Sequence, residues 1–204
     1  MAEKLPAEQL KLGHYVSEVH PQEIKTKDGK SWQGRAVVLA TDFEITNQFL
    51  GVEGSEVEWN AVDCLYFGLP EKDLPLKMPI LHLDGSGEGP INNLTFVSAL
   101  CECVPDGKAL ASASVIGRED LAIDELVESA RKQLVSWFGE SCKSWKNIHN
   151  YRIKRAVPSC LVPMDLEMKI NGIYRCGDYL GLPSIDSAMR SGRKVAEAII
   201  ESSS

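Results

Sequence analysis

The residues best placed to do chemistry stand near the end of the chain, where GIYRC, residues 172–176, runs into Gly177 and Asp178. A loop carrying Gly181 and Pro183 follows, and a helical pattern begins at Ser184. Strand, glycine-acid pair, loop and helix in that order aim a helix N-terminus at whatever lies beyond the strand. Unpaired amides and the positive end of the macrodipole favour an acceptor or a developing negative charge there. Ser184 suits an N-cap, and Asp186 in the first turn suits the same dipole. Ala188, Gly192 and Ala196 recur every four residues, giving one stripe without bulk that admits another backbone or a flat ligand. A helical glycine costs about 1 kcal/mol relative to alanine, so Gly192 implies a need for space. Val195, Ile199 and Ile200 are expected in the core. The same residues also suit an ordinary strand-loop-helix unit in which Asp178 caps a turn.

Elsewhere the signals are weaker. Cys101 and Cys103 are one residue apart, closer than zinc ligands stand, and His14, His20, His82 and His149 are scattered, so no metal is predicted. Six cysteines in a chain of this length read as free thiols. The GSGEG loop, residues 85–89, fits no phosphate-loop pattern, and a plain strand connection is expected there. His149 and Tyr151 lie near a predicted strand, within reach of a substrate cavity or as structural residues. The four tryptophans, Trp32, Trp59, Trp137 and Trp145, read as core or domain-contact aromatics.

The elements that must position these residues are alternately helix-like and strand-like, an α/β chain with mixed α+β character. Asp28-Gly29 between short alternating stretches predicts a hairpin whose two turn residues both accept positive φ. RAVVLAT, residues 35–41, reads as a strand buried on both faces, with Thr41 and Asp42 at the carboxyl end where open α/β sheets place ligands. Residues 59–117 read as several strands of a mixed or antiparallel sheet. Ile123, Leu126, Val127, Ala130, Leu134 and Phe138 recur at helical spacing up to Gly139, predicting a packing helix with Glu125, Glu128, Arg131 and Lys132 on a solvated face. A strand-like stretch then ends at Pro158.

With 204 residues, 44% of them hydrophobic, the chain can bury a sizeable core. Its formal charge of -7 argues against a nucleic-acid partner. No apolar run approaches the roughly 20 residues of a membrane span. The N-terminus also lacks a signal-peptide core, so an intracellular protein is expected, cytoplasmic or in an organelle such as a plastid.

The closing motif, PSIDSAMRSGRKVAEAI after Gly177-Asp178, resembles the C-terminal flavin motif of FAD-dependent amine oxidases and phytoene desaturases. The resemblance extends over nearly the whole chain: DGKSWQGRAVVLATD is similar to that family's hairpin and returning strand. PILHLDGSGEGPINNL and PDGKALASASVIG are similar to its substrate-domain strands, and YRIKRAVP to the entry into its FAD domain. The resemblance implies a partial Rossmann-like FAD-binding domain made of residues 1–58 and 150–204, with a substrate-domain sheet and packing helix in residues 59–149. It implies FAD as cofactor, with Gly177 and Asp178 at the ribityl and pyrophosphate part. Ser184, Ile185 and Asp186 would approach the pyrimidine side of the isoalloxazine, Pro183 and Ala188 are implied as further cofactor-binding residues, and Thr41 lies where the family chain passes the cofactor. Arg155, Ala156 and Pro158 match the stretch nearest the substrate face, while Ser187 departs from a frequent glycine. Cys176 is expected to be a buried strand thiol.

In this family the substrate gives hydride to the flavin, so no protein nucleophile is required, and the implied substrate is a small amine or apolar molecule. Yet no GxGxxG fingerprint for the diphosphate stands anywhere in the chain. Two expectations result. One is the C-terminal portion of an FAD-dependent oxidoreductase with weak or no FAD affinity of its own. The other is a non-catalytic segment that pairs its exposed sheet with a partner chain.

Overall fold

A computed structural model describes residues 4–52, 58–102, 104–118, 120–159 and 166–202. The chain divides into two compact units, residues 1–57 with 160–204 and residues 58–159. The second unit closes with one long strand, Lys146–Pro158, which stays paired with its neighbour as far as the Trp59–Pro158 rung.

In the first unit, β1 (Val16–His20), β2 (Glu23–Thr26) and β3 (Ser31–Gln33) form an antiparallel meander. Only Gly29 of the expected turn pair takes positive φ, at 80°. Asp28 instead accepts a short hydrogen bond from the Thr26 hydroxyl and sits 3.1 Å from Lys30 Nζ, contacts that hold its carboxyl well below the usual range.

A second small sheet has the order β10 (Lys169–Ile170), β11 (Ile173–Arg175), β4 (Val38–Leu39). The β4–β11 pair is parallel, with Tyr174 opposite Val38 and Arg175 opposite Leu39. The strand expected over residues 35–41 is therefore only two residues long, and Val38 is 39% exposed rather than covered on both faces. A helix start cuts the strand short. Asp42 accepts the Ile45 amide at 2.9 Å as N-cap of α1 (Phe43–Leu50), and Gly51 ends that helix at φ 62°. Phe43, Thr46, Asn47 and Leu50 form its buried face, an i, i+3, i+4, i+7 spacing that the sequence reading leaves unassigned. Leu39, Leu50 and Ile173 make the unit's small apolar core.

The second unit is a five-stranded antiparallel sheet in the order β6 (Leu81–Leu83), β7 (Ile91–Phe96), β8 (Lys108–Ile116), β5 (Trp59–Pro70), β9 (Lys146–Pro158). Alternate residues of β5 and β8, among them Leu65, Phe67, Ala111 and Ala113, are fully buried, and α2 (Ile123–Phe138) contributes Leu126, Ala130 and Leu134 to the same core. Gly139 ends α2 as expected, at φ 89°. Arg131 is not simply solvated: it donates to the carbonyls of Trp145 at 2.6 Å and Cys142 at 3.3 Å and lies over the Phe67 ring. Gln133, buried, donates to the Ile91 carbonyl and accepts its amide at 2.7 Å, fastening helix to sheet. The residue 85–89 loop is a strand connection, with Asp84 accepting the Ser86 and Gly87 amides.

Candidate functional site

The strand-loop-helix unit folds as its residue types require. β11 ends at Arg175, Asp178–Leu180 form one 3-10 turn, and α3 (Ile185–Glu201) starts at a Ser184 cap whose Oγ accepts the Ser187 amide at 3.1 Å. Helix geometry leaves the Ile185 and Asp186 amides outside the intrahelical ladder. Gly177 is extended, and a Cβ there would fall inside the Tyr179 ring, so the close approach of that ring requires glycine. Asp178 is half-buried, and its carboxylate makes no hydrogen bond or ion pair among the described residues.

Four residues outside the expected set hold this frame. Ser191, buried on α3, accepts the Gly177 amide at 3.0 Å and has the Gly177 and Ala188 carbonyls each at 2.9 Å for its proton. Tyr179, 1% exposed, donates to the Cys176 carbonyl at 3.1 Å and lies 3.2 Å from the Thr46 hydroxyl. Thr46 in turn meets the Thr41 hydroxyl at 2.8 Å. Thr41 is thus tied by hydroxyls to the end of β11, next to Gly177. Burial raises both the Tyr179 phenol and the Cys176 thiol above their ordinary pKa values, which suits a scaffold rather than a nucleophile. Arg175, 3% exposed, donates to the Glu167 carbonyl at 2.7 Å and reaches Asn47 Oδ1 at 3.4 Å. The sequence signal for these residues is thin: a serine inside a helix and a tyrosine after Asp178 carry no pattern of their own.

Ser184 and Asp186 line one cleft of about 730 Å³ with Gly181, Ser187, Arg190 and Lys194. Pro183, Ile185 and Ala188 lie on the same loop and helix but outside that cleft's lining, and Ile185 is 82% exposed. Ser187, at the position of the expected glycine, packs against Gly181, where a Cβ would meet its Oγ at 2.8 Å. On the small-residue stripe, a Cβ at Gly192 would meet nothing within 4 Å, and Ala196 is exposed. Of the three apolar residues expected in the core, Val195 is buried, Ile199 half-buried and Ile200 66% exposed, because it sits near the last turn on the outward side.

Arg155, Ala156 and Pro158 lie on β9 of the other unit. Arg155 is exposed, Ala156 half-buried and Pro158 buried. Arg155 and Ala156 fall in the bulge between the Val62–Ile153 and Asn60–Val157 rungs, a device that re-aims side chains. His149 and Tyr151, both exposed, meet edge to face at 4.4 Å, and Tyr151 meets Tyr66 at 5.9 Å. Among the described residues, no group of His, Cys, Asp or Glu is arranged to hold a metal ion. No described helix is long and apolar enough to cross a membrane.

The chemistry of the unit fits the polyol and flavin end of a flavin nucleotide. A carboxylate without a partner among the described residues can accept hydroxyl hydrogen bonds, and two helix amides outside the intrahelical ladder can donate to an acceptor.

Comparison with known proteins bears on the same frame. The profile of a family described as flavin containing amine oxidoreductase matches residues 1–200. No curated protein sequence matches. An oxidoreductase from Methanosarcina mazei shares the fold at TM-score 0.69 and 15% identity, over 91% of this chain and 49% of that one. Reduced UDP-galactopyranose mutase is similar at TM-score 0.57 and 14% identity, over 77% and 38%. Wild-type putrescine oxidase bound to putrescine is similar at TM-score 0.56 and 11% identity, over 92% and 48%. The chain thus spans less than half the length of each of these structures.

Proposed function

Because the chain belongs to the family of flavin-containing amine oxidoreductases, we propose that residues 177–188 hold the ribityl and isoalloxazine part of FAD in an oxidoreductase. When bound, FAD supplies the hydride-accepting chemistry. The residues of this chain supply position and charge. Asp178 accepts hydrogen bonds from ribityl hydroxyls with its free carboxylate. Gly177, pinned by Ser191 and Tyr179, sets where that carboxylate stands. The Ser184 cap shapes the first turn so that the Ile185 and Asp186 amides present the positive end of α3, worth about 0.3–1 kcal/mol toward an anionic group. Pro183 and Ala188 bound the same turn, and Thr41 supports it through Thr46 and Tyr179. The substrate is a small amine or an apolar molecule, and Arg155, Ala156 and Pro158 are its candidate wall.

The observation that carries this reading is the half-buried Asp178 carboxylate without a partner among the described residues. No GxGxxG segment stands in the chain to bind the diphosphate, so the proposed holding is weak. The visible spectrum of the purified chain tests it. Added FAD should bind reversibly and be lost on dialysis. Stoichiometric flavin retained through dialysis would overturn the weak holding, and no FAD-dependent change at all would overturn the site.

One observation favours a second reading, in which the chain acts by pairing with another polypeptide. Among the described residues β4 is hydrogen-bonded only to β11, and its other edge has no strand. Such an edge accepts a further strand. Co-purification with a stoichiometric partner and no flavin would favour this reading over the first.

A further inference from the structure

The turn Asn171-Gly172, with φ 49° and 83°, folds β10 back on β11 and sets Lys169 directly opposite Tyr174. Gly172 packs against Pro21 of the β1–β2 turn, where a Cβ would stand 3.2 Å from the proline ring. Between these turns, the approach to β4 and the last residues of α3 lies a second cleft of about 530 Å³. It belongs wholly to the first unit. The cleft is lined from residues at the amino ends of β4 and β11, whereas Thr41, Gly177 and Asp178 follow their carboxyl ends. It is therefore separate from the segment proposed to hold flavin.

Its charges are uneven. Arg35 and Lys169 both line it, and neither has a carboxylate partner among the described residues. Lys169 Nζ donates to the Tyr174 hydroxyl at 3.1 Å. The lining acid, Glu23, accepts the Ser31 hydroxyl at 2.6 Å and keeps its negative charge, and His20 stands 3.6 Å from Glu18. The α3 C-terminus contributes roughly half a negative charge, which together with the Glu23 carboxylate offsets most but not all of the two cations. The cleft so presents a guanidinium without a hydrogen-bond partner among the described residues, with an ammonium and a phenol in the same lining. A planar fork and a point charge of that kind suit a phosphate group. The volume lies within the roughly 300–1,000 Å³ of small-molecule sites.

We infer that this cleft binds a phosphate-bearing small molecule or free phosphate, with Arg35 and Lys169 as its cationic grip and Tyr174 as a hydroxyl contact. Calorimetric titration of the purified chain with inorganic phosphate, at ionic strength held constant with chloride, tests this. Saturable one-site binding is expected, weakened about tenfold by Arg35→Gln, the loss of one charge-assisted contact, and abolished in the Arg35→Gln, Lys169→Met double variant. Arg193→Gln, which removes an exposed cation of α3 paired with Glu197, should leave it unchanged. Arg35 is exposed, so the single variant remains decisive even if the double variant unfolds. Non-saturable heats, or equal affinity in Arg35→Gln, would overturn the site. A parallel titration with glycerophosphate separates the two sources: tighter binding assigns a phosphorylated small molecule, weaker binding the free ion.

Discussion

Ser191 Oγ and the Gly177 backbone form a closed clasp, amide to hydroxyl at 3.0 Å and hydroxyl to carbonyl at 2.9 Å, that joins the middle of α3 to the end of β11. One side chain fourteen residues away in sequence therefore fixes the glycine that precedes Asp178. Ser191→Ala leaves the Gly177 amide without its partner in a half-buried place. It should destabilise the chain by about 1–3 kcal/mol, measured as a lower urea midpoint, and should weaken FAD binding beyond what the stability loss accounts for.

In the second unit, Asp63 and Arg152 face each other across the β5–β9 rung, with two hydrogen bonds at 2.8 and 3.1 Å. Asp63 is 3% exposed, and Arg152 also donates to the Leu121 carbonyl at 2.9 Å, reaching the approach to α2. Arg152→Leu strands a buried carboxylate and should cost about 3 kcal/mol, read from chemical denaturation. The paired change Asp63→Leu with Arg152→Leu should recover most of that loss, because the cost lies in the orphaned charge.

His82 makes stability depend on pH. Its ring packs edge-on against Phe96 at 5.6 Å and Phe138 at 5.1 Å, and its buried Nε2 has no hydrogen-bond partner among the described residues. Burial lowers its pKa below the ordinary 6.5. The unfolded chain then binds this proton more readily than the folded one, so stability rises with pH through that window. His82 should therefore contribute full stability above pH 6.5 and progressively less as pH falls from there toward its folded value. Thermal melts across this range should show a shallower slope for His82→Phe than for the unaltered chain.

Much of the frame is legible in sequence because its signals are local. The α2 spacing from Ile123 to Phe138, Gly139 as its stop and Ser184 as the α3 cap each act through neighbours a few residues away. The illegible part depends on distant partners. Tyr179 lies 133 residues from Thr46, and nothing near either one announces their contact. The apolar run at residues 35–41 suggests a long strand, but only Val38 and Leu39 pair with β11 before Asp42 caps α1. Ile200 looks like core by type, yet its place in the last turn of α3 turns it outward. Asp178 stands out in sequence through its family resemblance. That its carboxylate lacks a partner among the described residues is a property of the folded chain, in which Gly177 is held from both sides.

The most direct measurement is an FAD titration of the purified chain followed by flavin fluorescence, run in parallel on Asp178→Ala. If Asp178 holds the ribityl end, the unaltered chain binds weakly and saturably. The variant then binds about tenfold more weakly, through the loss of a charge-assisted contact. Equal FAD affinity in the two proteins, with both folded, would contradict that role.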